Sequence, residues 1–138
     1  MKKIYFAFLP SLLLLLAACK KEKPDSYDNL LANGIWELYD YQPAGYINPP
    51  FVNGEFTFIP GGRCEYKDKN GNVYTGTWDH IWHDDLEVHA LIIDVQDPKT
   101  QDKKMDYFDD IQFLRTSQFN AYINNFYEPS IFRFRHKS

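Results

Sequence analysis

From residue 34 onward, apolar and polar side chains alternate in short runs separated by turn residues. Residues 34–41 (GIWELYDY) put Trp36 and Leu38 on one face, with Glu37, Tyr39 and Tyr41 on the other. Residues 54–59 (GEFTFI) repeat the pattern with Phe56 and Phe58, and residues 63–67 (RCEYK) with Cys64 and Tyr66. Pro60-Gly61-Gly62 separates these two runs, and Asp68-Lys69-Asn70-Gly71 supplies an Asn-Gly turn after the second; both are hairpin signals. Residues 72–82 group Tyr74, Gly76 and Trp78, and a glycine between two aromatics suggests a bend or bulge. His83-Asp84-Asp85 turns the chain into residues 86–95, where Leu86, Val88, Ala90 and Ile92 share one face and Glu87 and His89 the other. Three further runs follow: residues 105–115 around Ile111, Phe113 and Leu114; residues 118–123 with Phe119, Ala121 and Ile123 inward; and residues 131–135 with Phe132 and Phe134 inward. A period of two is the signature of strands with one buried face.

Eight short strands with short connections predict an all-β fold, an antiparallel meander. Curling it into an eight-stranded up-and-down barrel covers the apolar face and removes the exposed edges. A β-sandwich is the alternative. In either case Trp36, Phe56, Phe58, Tyr66, Trp78, Phe119 and Phe134 form the core, and line a ligand only where a cavity is left. The loop of residues 43–53 carries Tyr46, Ile47, Phe51 and Val52. These apolar groups can line a mouth, form a partner patch, or fold over one barrel end as a plug; the plug is the preferred reading. Asp28-Asn29-Leu30-Leu31 reads as a single helical turn capped by Asp28 and ended by Asn33-Gly34.

The start of the chain has a different pattern. Lys2 and Lys3 precede a mostly apolar run over residues 4–16, then Ala17, Ala18 and Cys19. A charged start, a short apolar middle and a small-residue end are the layout of an export signal. The run is shorter than the roughly 20 residues a spanning helix needs. Leu16-Ala17-Ala18-Cys19 resembles the lipobox of bacterial lipoproteins. That resemblance implies cleavage before Cys19, diacylglyceryl transfer to its thiol and acylation of the new amine, enough acyl chains for stable anchoring. Lys20 in the position after the cysteine, rather than an aspartate, favours the outer membrane by analogy. The expected organisation is a signal over residues 1–18, a lipidated cysteine and tether over residues 19–29, and a barrel domain over residues 30–138.

The formal net charge of −4 becomes more negative when Lys2 and Lys3 are removed, which disfavours nucleic acid as a partner. With Cys19 acylated, Cys64 has no partner in the chain, so no intramolecular disulfide forms. Between strands, Cys64 acts as a small hydrophobe rather than a nucleophile. Asp79-His80-Ile81-Trp82-His83-Asp84-Asp85, with Glu87 and His89 nearby, is the one stretch resembling a metal site, since imidazole and carboxylate suit divalent ions. On a strand end the His80-x-x-His83 spacing fixes no geometry, and a solvated turn is the preferred reading. Asp106, Asp109 and Asp110 read equally as a solvated face. Neither a catalytic constellation nor a cofactor motif is evident.

Gly34-Ile35-Trp36 at the start of the first strand resembles the Gly-x-Trp of the lipocalin superfamily. Arg133 and Arg135 of the last strand resemble the arginine that packs over that tryptophan at the closed end. Over residues 30–136 the pattern is similar to the lipocalin-like lipoproteins of Bacteroidetes. The resemblance implies a monomeric eight-stranded barrel with a cup for a small apolar or amphipathic ligand. Shortness, and the lack of an obvious C-terminal helix, argue against a spacious cup. Two functions follow as expectations: an anchored binder of a small apolar molecule or envelope component, or an interaction module with a filled interior that meets an envelope protein.

Overall fold

The computed structural model describes residues 25–45, 48–124 and 128–138. The signal-like segment, Cys19, Tyr46 and Ile47 lie outside the described residues. A short helix α1 (Asp25–Leu31) leads into β1 (Ile35–Gln42), β2 (Gly54–Ile59), β3 (Arg63–Lys67), β4 (Val73–His83), β5 (Val88–Gln96), β6 (Lys103–Phe108), β7 (Asp110–Arg115), β8 (Gln118–Ile123) and β9 (Ser130–His136). All pairings are antiparallel, and one sheet runs in the order β6-β5-β4-β3-β2-β1-β9-β8-β7. This is an up-and-down sheet nearly closed into a barrel, and a two-sheet sandwich is excluded.

Nine strands replace the expected eight because the sixth changes partners halfway. Residues before Asp109 pair with β5, from Leu91↔Phe108 to Gln96↔Lys103. Residues after it pair with β8, from Asp110↔Tyr122. One kinked stretch thus serves both edges of the sheet. The seam is held at the kink: the Asp109 N–H donates to the Tyr122 carbonyl at 2.8 Å, and the Asp109 carboxylate accepts from Asn124 N–H at 2.7 Å. The Asp110 carboxylate accepts from His89 N–H at 3.2 Å. Asp109 and Asp110 therefore stitch the seam instead of forming a solvated face. Asp106 is buried, and burial pushes its carboxyl up to about 6.

Two facings differ from the alternation in the sequence. In β1 the register slips between Leu38 and Asp40. That bulge turns Tyr41 to the inner side, where its ring meets Phe132 at 4.7 Å. In β5 the inner face is Leu91, Ile93 and Val95, all buried, while Leu86 is exposed. Leu86 belongs to the preceding turn, where Glu87 takes a positive φ of 52°. The strand starts two residues later than the pattern suggests, and Leu91, Ile93 and Val95, the parity opposite to the expected one, face the core. His89 shares the inner parity.

Gly76 sits in unbroken register with Cys64 and Val95, so it marks no bulge. A Cβ there would lie 2.0 Å from the Asp94 carbonyl oxygen. β5 crosses the inner face of β4 too closely for any side chain, and this tight coiling helps the sheet close.

Inside, Trp36, Phe56, Phe58, Phe108, Phe119, Phe132 and Phe134 are all at most 1% accessible. Their rings touch in sequence: Phe119 on Phe134 at 4.5 Å, Phe134 on Phe56 at 5.5 Å, Phe108 on Phe132 at 5.0 Å. A void large enough for water would leave accessible surface on its lining. These rings carry almost none, so among the described residues the axis is packed as a protein interior, not as a cup. Cys64 is buried among them, and its thiol is pushed up to about 12 by burial, with the Glu65 charge adding.

Candidate functional site

The barrel ends are closed by different elements. At one, Phe51 is fully buried against Phe56 at 5.2 Å and Tyr66 at 4.9 Å, and the Tyr66 hydroxyl donates to the Asn53 carbonyl at 2.8 Å. Phe51 is the plug expected of this loop, while Val52 stays exposed. Tyr74 reaches the β5–β6 loop, its hydroxyl donating to the Asp102 carboxylate at 2.9 Å.

At the other end lies α1. It starts before Asp28, so Asp28 is not its cap. Leu31 is buried, and its carbonyl accepts the Trp36 indole N–H at 2.8 Å. Tyr27 stacks on His89 with centroids 3.6 Å apart and on His80 at 5.7 Å, and meets Phe113 edge-on at 5.0 Å. Beneath the helix runs a chain of polar contacts. Asp28 Oδ1 lies 2.6 Å from His80 Nδ1, and His80 Nε2 lies 2.8 Å from His89 Nδ1. An ionised Asp28 with two neutral rings satisfies both: His80 Nδ1–H donates to the carboxylate, and His89 Nδ1–H donates to His80 Nε2. Burial lowers the His89 pKa, as does the neighbouring His80, with Asp110 opposing.

His83 points the other way from His80, its Nε2 3.0 Å from the Tyr107 hydroxyl. The His80/His83 pair is therefore not brought together, and no group of three or more metal-binding side chains forms among the described residues. The Trp82 indole N–H is taken by Asp84. His80 instead joins His89 and Asp28. Sequence reading put His89 near His80 but missed Asp28 and the inward facing, because it gave His89 the outer parity and made Asp28 a cap; the Leu91, Ile93, Val95 alternation carries the inner parity.

The expected tryptophan–arginine packing is replaced. Arg133 turns outward to Asp40 at 2.7 Å and Gln42 at 3.1 Å, and Arg135 pairs with Glu37 at 3.3 Å over the Tyr39 ring. The group covering Trp36 is His136, with ring centroids 4.1 Å apart, and Gly34 faces its far edge. Of the core rings named from sequence, Trp36, Phe56, Phe58, Tyr66, Trp78, Phe119 and Phe134 are all buried. They line one another.

Among the described residues, concave space is found on the surface. A cleft of about 360 Å³ opens beside α1, between Asp28, Asn29 and Ala32 on the helix side and Pro60, Gly61, Gly62, Trp78, Asp79 and His80 on the barrel. A second recess of about 320 Å³ lies along β1–β3 between charged groups of both signs, including Glu37, Glu55, Lys67 and Lys69. No helix among the described residues is long and apolar enough to cross a membrane. Comparison of the chain with protein-family models, curated proteins and solved structures gives no match.

Proposed function

We propose that this chain is an exported, lipid-anchored protein of the outer membrane whose barrel serves as an interaction module, meeting an envelope partner with its outer surface. The observation that carries this reading is the solid interior. Seven inward rings at most 1% accessible leave no cup for an apolar ligand among the described residues, whereas ligand sites of the usual kind enclose roughly 300–1,000 Å³. The anchoring part rests on the run ending at Cys19, which lies before the described residues. Recognition falls to the loops and surface clefts, as is common when a rigid scaffold presents its connections.

Native mass spectrometry of the protein purified from its own envelope tests the reading. The expected spectrum shows the acylated chain without an apolar small molecule in the barrel. A stoichiometric apolar ligand surviving desalting would overturn it. For the anchor, Cys19→Ser is expected to abolish labelling by radioactive palmitate and to release the barrel from the membrane fraction.

A further inference from the structure

We infer that the cleft beside α1 is the recognition site of this module and that it takes a basic side chain, a guanidinium or ammonium on a short hydrocarbon stem, presented by a partner protein. The inference rests on the reading of the barrel as an interaction module and adds the place and the chemistry.

The cleft is a built recess. Part of its barrel wall is the Gly61-Gly62 turn, open at Gly61, whose φ is 95° and where a Cβ would meet nothing within 4 Å. Trp78 forms part of the lining and is locked there, its indole N–H donating to the Ile59 carbonyl at 2.9 Å. Pro60 adds an apolar edge. A hydrocarbon stem fits such a lining.

The charge of the lining has one sign. Asp28 comes from the helix and Asp79 from β4, and no lysine or arginine lines the cleft among the described residues. Asp28 is already fixed: one oxygen is engaged by His80, which His89 holds in turn, and the other has no partner among the described residues. A carboxylate held this way loses little freedom when a cation arrives, which favours binding. Asp79 is exposed and makes no hydrogen bond or ion pair among the described residues. Asn29 offers a further amide. Two carboxylates on different elements, lining a recess of about 360 Å³, suit a cation better than an anion or a neutral apolar group.

The test uses the mature chain and two probes, N-acetyl-arginine N-methylamide and its citrulline counterpart, which keeps the shape and loses the charge. In a two-dimensional NMR titration the arginine probe should shift the Trp78 indole N–H and the amides of Asn29, Gly61 and Gly62. The citrulline probe should bind about tenfold more weakly. Asp79→Asn, which leaves the His80 contact intact, should remove most of that difference. Equal binding of the two probes overturns the assignment, as do shifts spread over unrelated acids such as Glu65 and Asp85. The broader reading fails by a different result, an apolar ligand inside the barrel. A ligand-free barrel whose cleft ignores the arginine probe thus sinks the site alone.

Discussion

At the end where α1 lies, closure runs through stacked imidazoles, a carboxylate and an indole hydrogen bond. At the opposite end it runs through one fully buried phenyl ring and two tyrosines. Both ends exclude water from the same core, yet they differ in what they demand. An apolar plug contributes through buried area and asks little of geometry. A polar cap must satisfy each buried group, so it is tunable and sensitive to protonation. On the proposed reading the plugged end is structural, while the helix end, beside the acidic cleft, is where recognition is placed.

The sharpest way to break this contrast is to remove the plug. Phe51→Ala should cost about 3–5 kcal/mol, as large-to-small changes at sealed core sites do. Urea unfolding reads this directly. A loss below 1 kcal/mol would mean the loop is a loose lid and the two ends are equally adaptable.

Between the ends, Asp106 is the exception in an apolar wall. Its Oδ2 is buried without a partner, and its carboxyl is pushed up to about 6 by burial, with Asp109 adding and the Tyr107 N–H opposing. A folded-state value above the unfolded one, near 3.9, means that the fold prefers the neutral acid. The penalty is present in full above about pH 6 and fades as the pH falls toward 4. Asp106→Asn should therefore raise stability at pH 8 by about 1–2 kcal/mol, after discounting for solvent screening. Near pH 4 the gain should vanish. An unchanged or lower unfolding midpoint at pH 8 would show that Asp106 is paired after all.

How much of this was legible beforehand follows from the chemistry of each region. Phe56, Phe58, Phe119, Phe132 and Phe134 fall on strict alternation between turn signals, so their inward facing could be read directly. Phe51 could be read as a plug because an apolar ring in a proline-rich loop has few other places to go. The helix end could not. Tyr27, Asp28, His80 and His89 lie on three elements, and their meeting depends on a turn that ends at Glu87 and on the exit angle of α1. Two slips of parity, at Tyr39 and at Leu86, carry no signal in residue type. The sharing of one strand by both sheet edges is likewise a property of closure, not of the 103–115 segment alone.

Tyr27 tests whether the helix end is held by its rings. Aromatic contacts of this type are each worth about 0.5–1.5 kcal/mol, and Tyr27 makes three, with His80, His89 and Phe113. A seven-residue helix has little stability of its own and depends on such docking. Tyr27→Ala should lower global stability by about 1–2 kcal/mol and raise hydrogen exchange through Asn29–Leu31. Exchange rates unchanged in α1 would mean that Leu31 and the Asp28 contact hold the helix without the stack.

The smallest expected effect is also the most specific. The His89 pKa is lowered by burial first and by His80 second, against Asp110. A histidine whose folded value lies below its unfolded one, near 6.5, is neutral by preference in the fold. Stability from this group is intact above about pH 6.5 and is lost as the pH falls below that value toward the folded one. The first cause is burial: the ring is stacked under Tyr27, where a charged imidazole loses water that it would keep in the unfolded chain. Acidification should thus loosen α1 while leaving the Phe51 end unchanged, opposite in sign to the gain from Asp106. Hydrogen exchange at pH 7 and pH 5 separates the two ends, after correction for intrinsic rates. α1 amides should lose protection at the lower pH, and the amides around Phe51 should not. In His89→Gln the difference in α1 should disappear, because an amide cannot take up the proton. Equal loss at both ends would place the sensitivity in the barrel as a whole and remove the distinction between a structural end and a responsive one.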